Sequence, residues 1–226
     1  MEERMKKDVT KKRRWMLAGL GVFLTTTTFA VVVNSFVFGY GFDPARSISQ
    51  YVGLESWSVI VFALGNVFAT WATERYMWML GRQWQMPRWY YYFAFLTGLG
   101  LVMLSVLPFG YFDTPDKKSI VTYGHEFASR MMFLMMLLVA LMIVIKTWHR
   151  RKTTTGSERS KTWPLVVIVY ILYGILCVVG RQMKIGWVVS YFLFYEGMYI
   201  SGFVGMLACQ KMEPRKTGAN STSLKE

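Results

Sequence analysis

The chain has 226 residues, 54% of them hydrophobic and 17% aromatic, and carries a formal net charge of +13. The apolar residues come in blocks of about 20, the length that crosses a bilayer as a helix, which leaves little chain for a soluble domain. The basic residues fall in the gaps between those blocks, as membrane topology requires, and no nucleic-acid motif accompanies them, so nucleic acid is excluded as a partner.

Residues 1–14 are a basic segment with seven Lys and Arg, ending in Lys11, Lys12, Arg13 and Arg14. The apolar run that follows, 15–40, exceeds the roughly 7–15-residue core of a signal peptide and ends in no small-residue cleavage site, so it reads as a retained first span. In the next connection, GFDPARSISQYVGLESWS, Asp43-Pro44 marks a turn, and Ser47, Ser49, Gln50, Glu55 and Ser56 suit a compact polar cap. The second span covers 57–80, with Asn66 near its middle and Glu74 and Arg75 snorkelling to the interface. The aromatic band Trp89, Tyr90, Tyr91, Tyr92 marks the headgroup level at the start of the third span, 89–109. A second polar loop, GYFDTPDKKS, leads to the fourth span, 123–146. That span opens on His125, Glu126 and Arg130 and is then apolar from Met131 to Ile145.

A polar connection over 146–162 precedes the fifth span, 163–182, where Pro164 sits at a tolerated helix start. The sixth span is 187–209, and residues 211–226 read as a mobile tail. The fold expected is therefore an all-α bundle of six transmembrane helices. Of the 26 Lys and Arg, 20 fall on one side of such a bundle and five on the other, with Arg130 inside a span. The excess of bases places both termini, with the basic segment and the tail, in the cytoplasm. Cys177 and Cys209 fall in the last two spans and make no disulfide framework.

Polar residues within the spans gather in the outer half. Glu196 is nine residues into the sixth span, about 14 Å deep, and Arg130 is about 10 Å into the fourth. An isolated charge at such depth is costly, so each calls for a partner at similar depth. Glu196 with Arg130 is one pairing. The other joins Arg130 to Glu126, four residues earlier, and leaves Glu196 protonated or paired with Arg181. His125 shares a helix face with Ser129 and Met132. The second histidine, His149, is about 36 Å farther along the helix, so the two cannot share a metal or a haem. His125, Glu126, Arg130, Glu196, Arg181 and Asn66 are the candidate pocket residues, with no catalytic set, metal site or cofactor assigned. Two features read as packing: the Gly197, Ser201, Gly205 face of the sixth span, with homodimerisation as a second reading, and the methionines of the fourth.

The ISQYVG segment, Asn66, the LPFG end of the third span, GHEFASRMMF and YEGMYISGF together resemble six-helix proteins of the DRAM and FGF-receptor-activating-protein type. They are also similar to a bacterial and archaeal six-helix family of unknown function. There an I-S-x-L-G segment, a histidine opening span four and a late E-R pair recur. Here Gln50 stands where an acid or another polar residue is common, and Gly197 follows Glu196 in place of arginine. The resemblance implies the fold, a membrane location and a role near lipids, and it implies no reaction.

The functional expectation is a non-enzymatic integral protein of the bacterial plasma membrane. Its outward-facing polar pocket would take a lipid headgroup, a small ligand or a partner protein, and its basic cytoplasmic face would attract anionic lipid. A small-solute permease using Glu196 and Arg130 is the alternative, although no repeat is visible. A lipid-acting enzyme with His125 and Glu126 as acid–base groups is the third reading.

Overall fold

The structure, a computed structural model, describes residues 2–153 and 191–208, together with 168, 171, 172, 174–176, 179, 180 and 183–186; for 2–6, 147, 148 and 150–153 it describes the backbone alone. Among the described residues the architecture is all-helical, without strands. Helix α1 runs over Glu2–Val32 and ends in a π-helical turn, Val33–Val37. A short helix α2, Ile48–Val52, precedes the long α3, Ser56–Gln83. Then come α4, Arg88–Val106, and α5, Ile120–Thr153. The last described helix, α6, is Phe192–Ala208.

Among the described residues, four helical stretches are long and apolar enough to cross a membrane: Lys7–Val37, Ser56–Gln83, Arg88–Val106 and Ile120–Lys146. Helix α6 is apolar and is described over 17 residues. The expected fifth span lies largely outside the described residues, as do residues 187–190 and 211–226.

The helix ends follow from local chemistry. Helix α1 continues through the basic segment, where Lys12 and Asp8, four residues apart, make a 2.7 Å ion pair. Helix α4 begins after Pro87, which occupies the N-cap. It stops at Val106, three residues short of the expected end. Leu107 precedes Pro108 and is pushed to an extended conformation, φ −106° and ψ 91°. Helix α5 is longer than the expected 123–146 at both ends. Its first turn is capped by Ser119, whose Oγ accepts the Thr122 N–H at 3.2 Å.

Short connections make α3, α4 and α5 antiparallel neighbours, and α1 packs along α3. The chain thus lays down α1, α3, α4 and α5 in sequential contact, and α6 returns to touch α1 and α2. We call the end that carries the 38–55 and 107–119 connections the upper end. Toward the lower end a core of Tyr76, Met77, Leu80, Tyr90, Ala94, Met136, Ala140, Ile143 and Phe203 closes the bundle. Met132 and Met136 of α5 are fully buried there. At Gly100 a Cβ would lie 2.9 Å from that of Met132, so the glycine sets how closely α4 and α5 approach.

Candidate functional site

The upper end is built on α2. Ser47 and Gln50 form a capping box, the Ser47 hydroxyl taking the Gln50 N–H and the Gln50 side chain taking the Ser47 N–H at 2.7 Å. Asn34, fully buried in the π-turn of α1, donates to the Tyr51 carbonyl at 2.7 Å and to the Ser58 hydroxyl at 3.2 Å. Ser58 in turn donates to the Val52 and Glu55 carbonyls. One asparagine thus fixes α1, α2 and α3 together where a helix C-terminus leaves carbonyls to be satisfied. The Tyr51 hydroxyl closes the 38–47 loop by donating to the Asp43 carbonyl at 3.0 Å.

Helix α6 is fastened to this platform from the other end of the sequence. Its Leu193 N–H donates to the Pro44 carbonyl at 3.1 Å. The Glu196 carboxylate accepts the Ile48 N–H, at the start of α2, at 2.8 Å. Glu196 lies four residues past Phe192, the first residue of α6; residues 187–190, where the expected span begins, lie outside the described residues. The Glu196 contact is a charge-assisted bond to backbone, which no ion-pair search in the sequence would suggest.

The first turns of α5 supply the facing wall. His125 is buried, and its Nδ1 meets the Leu107 carbonyl at 2.5 Å. That carbonyl belongs to the chain that Pro108 breaks away from α4, and a carbonyl can only accept, so Nδ1 carries the proton and the ring is oriented. Phe109 packs edge-on against the imidazole, centroids 5.4 Å apart. Glu126 accepts from Lys118 at 2.6 Å and stands 3.9 Å from Arg130. That hydrogen bond and the Glu126 charge raise Lys118 above the ordinary lysine range. Asp113 fixes the loop that carries Lys118, accepting the Ser119 N–H at 2.8 Å and the Thr122 hydroxyl at 2.7 Å. Those bonds, the Ser119 N–H first, hold its carboxyl below the usual range.

Between these walls lies a cavity of about 580 Å³. Ser47, Ser49 and Gln50 line it from the α2 side, and His125, Glu126, Ser129 and Arg130 from upper α5. Lower on α5 the lining becomes Phe133, Leu134 and Leu137, with Gly174 alongside. Helix α6 contributes Phe192, Tyr195, Glu196 and Tyr199. From His125 to Leu137 the wall descends about 18 Å along α5 and passes from polar to apolar once. A smaller void of about 40 Å³ adjoins it, lined by Asn66, His125, Ser129, Met132 and Glu196 among others. It is large enough for one or two waters.

The structure therefore brings His125, Glu126, Arg130 and Glu196 to one cavity. Arg130 pairs loosely with Glu126, and Glu196 turns to the backbone of α2. Asn66 touches only the small void. Its amide donates to the Ser105 hydroxyl at 2.5 Å and to the Leu101 carbonyl at 3.3 Å, which ties α3 to α4. Arg181 lies outside the described residues. Sequence reasoning missed the backbone partners of His125 and Glu196, and it misplaced Glu74. Instead of snorkelling, that carboxyl turns toward α4 and lies against Gly98, with its second oxygen accepting from Trp78 at 3.1 Å. The signal was Gly98 itself, a residue without a side chain opposite an acid.

Compared with protein-family models, curated proteins and solved structures, the chain matches none.

Proposed function

We propose that this chain is a six-span protein of the bacterial plasma membrane, with both termini in the cytoplasm, whose upper cavity binds a membrane amphiphile. The single observation that carries the reading is the polarity gradient down α5. Hydroxyl, imidazole, carboxylate and guanidinium groups give way to Phe133, Leu134 and Leu137 within one continuous cavity. Such a wall suits a molecule with a polar head and a hydrocarbon tail. A small polar solute would leave the lower half of the cavity without a partner. The volume is in the range of about 300–1,000 Å³ typical of sites for small organic ligands. The distribution of Lys and Arg supports the orientation.

The cavity's role on this reading is to bind, with His125 oriented by the Leu107 carbonyl. The test is lipid analysis of the protein purified in a mild detergent. Near-stoichiometric amphiphile should co-purify with the wild type and be lost from Leu137→Trp, whose indole fills the apolar end of the cavity, with the melting temperature of the bundle kept. Protein that carries no amphiphile, or a Leu137→Trp variant that carries as much as the wild type, overturns the reading. An active alkaline-phosphatase fusion at the C-terminus would refute the orientation.

A further inference from the structure

The cavity wall also specifies the head of its ligand. Two charged residues of its wall, Glu126 and Arg130, stand together, and Lys118 of the 107–119 connection reaches Glu126 from outside the lining. The two cations are not equivalent. Lys118 holds Glu126 by a 2.6 Å hydrogen bond, whereas the nearest Arg130 nitrogen stands 3.9 Å from the other carboxylate oxygen, beyond hydrogen-bond distance. The loop lysine thereby takes up most of the charge of Glu126, and the guanidinium keeps most of its own. The Arg130 side chain is 77% exposed within the chain, on the cavity wall, one turn above Leu134. It sits about 15 Å along α5 from Ile120. A cation so placed in a membrane helix needs an anion.

We propose that the ligand is a phospholipid whose phosphate is bound by Arg130, with an acyl chain running down α5 past Phe133, Leu134 and Leu137. This rests on the amphiphile reading above and adds the head chemistry. A planar guanidinium presents its donors in a fork that matches two phosphate oxygens at once, and a glyceride or other uncharged amphiphile offers it no such partner. The hydroxyl of Ser129 on the same wall and those of Ser47 and Ser49 on the facing one can donate to the remaining oxygens. Lys118 is a positioning residue. It never reaches the ligand, and it acts by keeping Glu126 away from Arg130.

The experiment is native mass spectrometry of the full-length protein in detergent micelles against three probes. Dioleoylphosphatidylglycerol has phosphate and chains, monoolein has a chain without an anion, and glycerol phosphate has the anion without a chain. The wild type should retain phosphatidylglycerol at least about tenfold more tightly than monoolein, as one charge-assisted bidentate contact provides. Arg130→Gln should erase that preference and leave monoolein binding unchanged, which shows that the cavity is intact. Lys118→Ala should weaken phosphatidylglycerol severalfold in the same direction, and Arg130→Lys should recover part of the loss. Equal wild-type binding of phosphatidylglycerol and monoolein refutes the phosphate claim and leaves the amphiphile reading standing. Tight binding of glycerol phosphate alone also refutes the proposal, by making the site one for a soluble anion. No binding of either lipid refutes the amphiphile reading itself.

Discussion

Asn66 and Ser105 offer the sharpest check on which polar groups hold the bundle and which serve the cavity. Both are almost fully buried, and the Asn66 amide donates to the Ser105 hydroxyl at 2.5 Å. Asn66→Ala removes that bond and the longer one to the Leu101 carbonyl, and it leaves a small void. Together these should cost about 2 kcal/mol. For a chain of this size that is a fall of about 4–8 °C in melting temperature. Ser105→Ala also removes the Ser105 bond to the Leu101 carbonyl at 2.6 Å, so neither single variant isolates the pair. The double-mutant cycle does, since the private losses cancel. Polar pairs between membrane helices average about 0.6 kcal/mol of coupling and reach about 1.7, and a short, buried contact belongs in the upper part of that range. The expected coupling is therefore about 1 kcal/mol, read from tryptophan-monitored unfolding of the four proteins in one micelle system. Phospholipid retention by Asn66→Ala should stay within about twofold of the wild type. A coupling below about 0.3 kcal/mol, within ordinary additivity, would show that the two side chains do not clamp α3 to α4.

Glu196→Ala should destabilise the protein by about 2 kcal/mol, because it leaves the Ile48 N–H without its acceptor. Glu196→Gln keeps an acceptor oxygen there and should cost about half as much; equal losses in thermal melts would mean that this bond is not what Glu196 supplies. Gly98→Ala puts a Cβ 2.7 Å from a Glu74 oxygen, an overpacking worth about 1–3 kcal/mol. Adding Glu74→Ala should restore most of that loss in the same melts, and failure to do so would place the strain elsewhere. For Asp113 the sign follows from a carboxyl held below its ordinary value of 3.8. Its contribution is complete above that pH and disappears as the pH falls through the lower, folded-state value. Amide exchange in the 107–119 connection should therefore quicken below pH 4 in the wild type. In Asp113→Ala, which has no acceptor for Ser119 and Thr122, it should be fast at every pH, and indistinguishable profiles would rule out Asp113 as the loop's anchor.

What could be read in the sequence was whatever repeats along it. Blocks of apolar residues locate α3 and α4 to within a few residues, whereas α5 runs on past the expected end at 146 to Thr153. Pro108 announces the end of α4 in advance, though three residues earlier than the apolar run alone suggests. The acid-first spacing of Glu126 and Arg130 gives their pairing on one helix face. The site's anchoring was not legible, because its contacts join residues far apart in the chain. Nothing near Glu196 indicates that its acceptor role is filled by the N–H of Ile48, 148 positions earlier. Likewise, His125 finds a main-chain carbonyl, which has no residue signature, and α2 is too short at five residues to show a period. Glu74 beside Arg75 looks like any interfacial charged pair. Only the alignment of α3 with α4 places Gly98 opposite it.

The two hydrogen bonds from α6 to the 44–48 loop have a consequence for the order of events during synthesis. The first four long helices each settle against a neighbour already made, so they can assemble as they emerge. The cavity cannot, for its walls come from the first quarter of the chain, from the middle and from the last helix. Until α6 arrives, the Pro44 carbonyl and the Ile48 N–H have no α6 partners and the cavity lacks its Glu196 side. The cavity is thus closed only in the last step of assembly, and a chain cut before residue 192 should lack the wall that Phe192, Tyr195, Glu196 and Tyr199 supply.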